Sequence, residues 1–177
     1  MSVSAKVRDQ VRRRAHFACE FCGATETDAG GELTLDHFQP QAHGGTDHLG
    51  NLLYCCHRCN EYKADYWPTR PGSPVLWNPR QEPVETHLLL LANGTLYPIS
   101  ATGEFTLKRL RLNRRQLVAY RLGKQSQAED LRLLTRYRDL LTLLEQLSTQ
   151  QAELLEEHRE LLKQQRGLLQ SLVKRKG

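Results

Sequence analysis

Two pairs of cysteines, Cys19-Glu20-Phe21-Cys22 and Cys56-His57-Arg58-Cys59, have the two-residue gap that lets one tight knuckle present two thiolates to an ion. Together they supply four sulfurs, enough to close a tetrahedral zinc site, so the ion they hold is structural. Cys55 is left over as a packed thiol, and His57 could enter the zinc shell only by displacing a cysteine. Asp36-His37 lies between the pairs, and Asn60 directly follows the second. Hydrolysis of a phosphodiester needs a base for water and a hard cation to neutralise charge on the phosphate and the leaving oxygen. Histidine is the side chain that exchanges a proton near neutral pH, which makes His37 the candidate base. Asp36 and Asn60 carry the oxygen ligands that Mg2+ or Mn2+ prefers.

The order of these residues is C-E-F-C, then L-D-H-F-x-P with G-G following, then N-L-L, then C-x-x-C-N-x-x-K. Over Cys19 to Lys63 it resembles the zinc-containing HNH endonuclease family, whose core is the ββα-metal fold. The resemblance implies that Asp36 is a catalytic-metal ligand, that His37 is the general base, and that Asn51 ties the loop and orients the histidine. Asn60 stands where the family's last letter is often histidine, and the resemblance makes it the second metal ligand. Lys63 matches the motif's terminal lysine and is expected to meet a phosphate. A weaker resemblance continues through Trp77-Asn78-Pro79-Arg80, Thr86-His87, Thr102-Gly103 and Leu110 to Arg114, which looks like an extension found beside this core in some bacterial HNH proteins. The function implied is metal-dependent cleavage of DNA, by nicking or as a double-strand cutter in an oligomer, leaving 5′-phosphate and 3′-hydroxyl ends, in a defence or mobile-element setting. The rival is a zinc-stabilised nucleic-acid-binding or scaffold module without catalysis.

The elements that must position these residues follow from the pattern. Val7, Val11 and Ala15 recur at helical spacing behind a possible Ser4 cap, predicting a helix over 4–17 that leads into Cys19. Leu33 to Phe38 alternates like a strand and stops before Pro40, Gly44-Gly45 marks a turn, Asn51 to Tyr54 returns as a second strand, and Asn60 to Tyr66 begins a helix. Five prolines from Trp67 to Pro83 predict an irregular connector. His87 to Ala92 and Thr95 to Ile99, joined by Asn93-Gly94, read as a hairpin, followed by one or two helices through Leu122. The fold class expected is α+β. A nuclease core spans 1–66, a hairpin and basic-helix extension packed on it spans 67–122, and a long C-terminal helix spans 123–177.

That tail carries its own signal. Leu133, Tyr137, Leu140, Leu144, Leu147, Gln151, Leu154, His158, Leu161, Gln165, Leu168 and Leu172 alternate in steps of four and three, the period of a coiled coil. With Leu133 as d, every d position is leucine, Gln151, His158 and Gln165 fall at a, and Leu134, Leu141, Leu155, Leu162 and Leu169 at e widen the stripe. The heptad phase crosses Ser148 unbroken, so a continuous rod of roughly 60 Å, at about 1.5 Å per residue, is expected in place of a hairpin. It pairs with itself or with helices of a partner protein. The net charge of +5 is polarised: residues 1–19 carry +4, residues 20–101 carry −6, residues 102–121 carry +5 and the remainder +2. Two basic segments around an acidic middle suit a cation held beside a polyanion, with Arg12, Arg13, Arg14, Arg109, Arg111, Arg114 and Arg115 as DNA contacts and a solvated helix face as the alternative. No apolar run approaches the roughly 20 residues needed to span a bilayer, and no apolar stretch follows the basic N-terminus, so a cytoplasmic protein without a membrane partner is expected.

Overall fold

The computed structural model describes residues 3–176, with side-chain surroundings through Ser171, so the side chain of Leu172 lies outside the described residues. The chain divides into two compact units, one ending at Gln125 and the other beginning at Ser126. The first unit is α+β. Its helix α1, Ala5–Arg14, starts where Ser4 accepts the Val7 N–H at 3.4 Å and buries Val11 completely. It stops short of the predicted end because His16 and Phe17 take φ of 51° and 58°, a left-handed turn that no helix continues through. The chain then forms the first knuckle, closed by the Cys19 N–H donating to Ala24 O at 2.8 Å, and enters the short helix α2, Glu26–Ala29, through a capping box between Thr25 and Asp28.

Strands β1, Thr34–His37, and β2, Leu52–Cys55, pair antiparallel from Thr34↔Cys55 to His37↔Leu52. All four residues of β2 are buried. One edge is held by Arg14, which donates to the carbonyls of Leu49 and Leu52 at 2.7 and 2.6 Å. Helix α3, His57–Lys63, begins three residues before the apolar pattern suggests. The Cys56 sulfur is its N-cap, accepting the Cys59 N–H at 3.4 Å, and helix-start readings look for a hydroxyl or carboxylate there. Ala64, with φ of 51°, ends it.

The connector after α3 leads Leu76 and Trp77 into the same core as Leu52 and Leu53, and Trp77 N–H donates to the buried Thr106 hydroxyl at 2.8 Å. Strands β3, Leu88–Leu90, and β4, Leu96–Pro98, form the expected hairpin with a wider turn than two residues: Leu91 N–H bonds Thr95 O at 2.8 Å and Asn93 Oδ1 accepts the Thr95 N–H. Helix α4, Ala101–Arg109, packs its Gly103 so closely on the hairpin that a Cβ there would lie 2.1 Å from His87 O. His87 is itself clamped, Nδ1 at 2.7 Å from Ser100 Oγ and Nε2 at 2.5 Å from Glu82. Arg111, at φ of 49°, breaks the helical run before helix α5, Arg115–Lys176, begins.

In the second unit α5 continues as one helix and does not turn at Ser148. Its leucines at d and e, from Leu133 to Leu169, are each more than two-fifths exposed. Thr135, Thr142 and Thr149 bond their hydroxyls to carbonyls four residues back, on the side away from that stripe.

One part-buried network ties the first unit's outer elements together. Arg12 grips Glu26 through two hydrogen bonds of 2.5 and 2.6 Å, and the Tyr54 hydroxyl donates to the same carboxylate. The Arg12 guanidinium, with Tyr54 behind it, pulls the Glu26 carboxyl down from 4.5 to about 2. A carboxyl depressed in the folded state contributes stability above its unfolded pKa and loses it as the pH falls through the folded one. The window is therefore from 4.5 down to about 2. Glu26→Gln is expected to be less stable than the parent near neutrality and to lose less on acidification through that window, read from urea midpoints at a series of pH values. Parallel curves for the two proteins would remove this network from the acid response.

Candidate active site and metal centre

Cys19 and Cys22 sit on the knuckle between α1 and α2, and Cys56 and Cys59 on the first turn of α3. Their four sulfurs lie within 4.8 Å of one another. Cys22 Sγ and Cys56 Sγ are 3.7 Å apart, and a tetrahedron with Zn–S bonds of about 2.3 Å has edges of about 3.8 Å. The donor set and its spacing fit zinc. Hydrogen bonds from the neighbouring thiols, Cys22 first, already hold Cys19 well below the ordinary thiol range. Arg114 brings its guanidinium to 3.9 Å from Cys59 Sγ. Burial pushes Arg114 down, and the cysteine cluster, Cys59 first and then Cys22 and Cys56, outweighs it and leaves the guanidinium more basic than usual. Cys55 points into the core beside Cys19 and its thiol is pushed well up, so it remains a packed, neutral group.

Asp36 and Thr34, two apart on β1, share one side of the strand, and Asn60 and Lys63, three apart on α3, share one helix face. These two surfaces meet. Asn60 Nδ2 is 3.5 Å from Thr34 Oγ1, and Lys63 Nζ is 3.1 Å from Asp36 Oδ2. Asp36 Oδ2 is buried against that ammonium. Burial raises the Asp36 carboxyl, and the Lys63 charge opposes that shift. Asp36 offers a carboxylate oxygen and Asn60, which reaches Thr34 on the same side of β1, an amide oxygen, the donor types a hard cation takes, so these are the residues that would hold it.

Lys63 corrects one expectation from the sequence. It is fully buried, donating to His37 O at 2.7 Å as well as facing Asp36, and no phosphate reaches it. The reason is the helix register: Lys63 lies on the same face as Asn60, one turn further into the core.

His37 ends β1 and is part exposed. Its Nε2 is 2.7 Å from Asp47 Oδ1, which also accepts from Gln41 Nε2 at 3.0 Å. The bond to His37, first among its causes, lowers the Asp47 carboxyl below the usual range. Asp47 has no signal in the sequence beyond being an acid in a loop. Asn51 accepts the Gln39 N–H at 2.8 Å and donates to Gln39 O and Thr46 O at 3.0 and 2.9 Å. It closes the loop between the strands, and with its own carbonyl accepting the Phe38 N–H at 2.8 Å it reaches His37 through the backbone at Phe38 and Gln39. Gly45 is required there, since a Cβ would lie 1.8 Å from Gln39 O. A cavity of about 790 Å3 opens on the far side of this loop, lined in part by Phe38, Gln39, Thr46, Asn51 and Trp67. Asp36, His37 and Asn60 are not in its wall.

The basic residues divide into two sets. Arg12 is bound to Glu26, Arg14 to two carbonyls of the β2 edge, Arg109 to Lys63 O at 3.1 Å and over Tyr66, and Arg114 to Leu110 O beside the thiolates. These guanidinium groups face inward. Arg13, Arg111 and Arg115 are exposed, with Arg13 paired to Asp9 and Arg111 lying 4.8 Å over the Tyr62 ring.

Among known proteins, a family model described as HNH endonuclease matches residues 19–73, a stretch that contains both knuckles, β1, β2 and α3. That segment is of nuclease type at the level of the family. No curated protein and no solved structure matches the chain. Among the described residues no helix is long and apolar enough to cross a membrane.

Two measurements check the site's framework. Elemental analysis of purified protein should find about one zinc per chain, and Cys59→Ser should lose both the ion and the cooperative unfolding of the first unit. Fully folded, zinc-free protein would refute the assignment. Lys63→Met should cost roughly 3 kcal/mol, because it strands a buried carboxylate, and adding Asp36→Asn should restore much of the loss. Additive costs in the double variant would show that the pair is not coupled.

Proposed function

We propose that the first unit is a metal-dependent endonuclease that hydrolyses DNA phosphodiester bonds and leaves 5′-phosphate and 3′-hydroxyl ends. The observation that carries the reading is the placing of the buried Asp36 carboxylate and, through Thr34, the Asn60 amide on one side of a strand whose last residue is a histidine held by a carboxylate. The family match over the same residues supports it. A Mg2+ or Mn2+ ion held by Asp36 and Asn60 would supply charge neutralisation at the scissile phosphate and the departing oxygen. The remaining work falls to the chain itself. An ionised Asp47 accepts the proton on His37 Nε2, which fixes the ring and leaves Nδ1 with the free lone pair that takes a proton from water. Lys63 holds the backbone at His37 and the Asp36 carboxylate in register, so the base and the cation ligands stay at a fixed separation. Of the candidate DNA contacts, Arg13, Arg111 and Arg115 are exposed, as are Lys6, Arg8 and Lys108 in the same basic segments, and they supply phosphate contacts that position DNA without reading its sequence. The leucine stripe of the second unit makes the protein self-associating.

Nicking of supercoiled plasmid in Mg2+ or Mn2+ tests the reading. His37→Ala should lower the rate by about 100-fold or more while zinc content and DNA binding stay unchanged, and Asp47→Asn should lower it by a smaller factor. Undiminished cleavage by His37→Ala sinks the mechanism. DNA binding with no cleavage in either metal would make the unit a zinc-stabilised binding module instead.

A further inference from the structure

The second unit presents a leucine stripe with nothing against it, and two features of that stripe say what covers it. First, besides a hollow of about 380 Å3 on the polar side between Thr142 and Glu153, the side chains leave two hollows on the stripe itself. One, of about 480 Å3, is lined by Leu133, Arg136, Tyr137 and Leu140 with two neighbours. The other, of about 370 Å3, is lined by Leu154, Glu157, His158 and Leu161 with one neighbour. In heptad terms each is a d, g, a, d set, the hole into which a facing helix inserts its knobs. The two hollows share this heptad lining and are opposite in charge at g, where one carries Arg136 and the other Glu157.

Second, those two charges are not used within the helix. Ion pairs join Arg138 to Asp139, Arg159 to Glu156 and Lys163 to Glu160, and among the described residues neither Arg136 nor Glu157 has such a partner. In a parallel, in-register pair a g residue meets an e residue of the other helix, and here e is leucine at 134, 141, 155, 162 and 169 and serine at 148. Arg136 and Glu157 would then each lie over an apolar side chain. In an antiparallel pair g meets g. The register that sets Arg136 against the partner's Glu157 also sets Tyr137 against the partner's Leu154, Leu144 against the partner's Leu147, Gln151 against the partner's Leu140 and His158 against the partner's Leu133. Every one of these layers brings an a residue to a d residue. Shifting either helix by a heptad keeps the layers and loses the charge match, since Arg136 then faces Gln150 or Gln164 of the partner subunit.

We infer that the partner of this stripe is a second copy of the chain, paired antiparallel through residues 130–161, with the Arg136 hollow of each helix seated on the Glu157 hollow of the other. The pairing rests on the tail alone and stands whether or not the first unit cuts DNA. Two symmetry-related Arg136–Glu157 contacts flank the core. The polar residues at a each face a leucine, a weak core that leaves register to the flanking charges.

Light scattering and sedimentation equilibrium on the full chain test it, with zinc content as the control for an intact first unit. The parent should be a dimer. Arg136→Glu and Glu157→Arg each replace two attractions by two repulsions and should weaken self-association by on the order of tenfold. Mixing the two variants in equal amounts should restore the parent's affinity, because the mixed dimer has opposite charges at both contacts, and the double variant should pair as the parent does. A monomeric parent overturns the inference, as do single variants that pair undiminished. Weakening in the single variants without rescue on mixing also overturns it, and points to a parallel pair or another register.

Discussion

Four sulfur atoms gathered within 4.8 Å form the constraint on which the first unit hangs. Thiols at that spacing either share protons or bind a cation, and a zinc ion turns their mutual repulsion into the strongest link in the fold. The link is long-range in sequence. Cys19 and Cys22 follow α1, while Cys56 and Cys59 open α3, so one ion fastens the N-terminal helix, the end of β2 and the start of α3 to a single point. Once α3 is fixed at its N-terminus, its rotation is fixed too, and Asn60 and Lys63 can only face β1. The position of Asp36 against Lys63 is thus a consequence of the cysteine cage, although neither residue touches it.

Cations of the protein itself complete what the ion begins. The planar fork of arginine suits two acceptors at once, and in this unit it is used repeatedly on backbone carbonyls: Arg14 on Leu49 and Leu52, Arg121 on Gly94 and Leu112. Arg114 lends charge to the thiolates from the turn between α4 and α5, which couples the extension to the cage. A formal charge of +5 therefore overstates the positive field available to a polyanion, because much of it is neutralised or enclosed inside the fold.

What the sequence disclosed and what it hid separate along a physical line. The cysteine pairs, the strand pair, the hairpin at Asn93-Gly94 and the heptads of α5 are legible because each is a local geometry written in spacing. The burial of Lys63, the inward turn of Arg12, Arg14, Arg109 and Arg114, and the bond from Asp47 to His37 are not, because each depends on which elements meet across the fold. Charge in a helix reads as solvated until a register says otherwise. The early start of α3 was hidden for a different reason: a cysteine sulfur took the capping role that hydroxyls and carboxylates usually fill. In the described residues, Asp36, Asn60 and Lys63 come together as a group, whereas Asn51 works on the loop and His37 is held by a residue the spacing did not mark.

The candidate site thus has two supports that differ in rigidity. Asp36 and Asn60 are carried by β1 and α3, both anchored by the cage, and their separation changes only if that frame does. His37 begins the loop from Phe38 to Asn51, which is closed by the Asn51 amide, by the tight contact at Gly45 and by Asp47 on the imidazole ring. Asp47 is exposed and negatively charged, as is the phosphate that would approach it, so the charge that fixes the ring is also the charge most disturbed by a polyanion. On the proposed reading the frame would set where a cation and a phosphate sit, and the loop would set how His37 faces them. Changes in Asn51 or Asp47 should accordingly act on the orientation of the ring and leave the metal framework intact, which is the separation expected when the rigid and adjustable halves of a site are built on different elements.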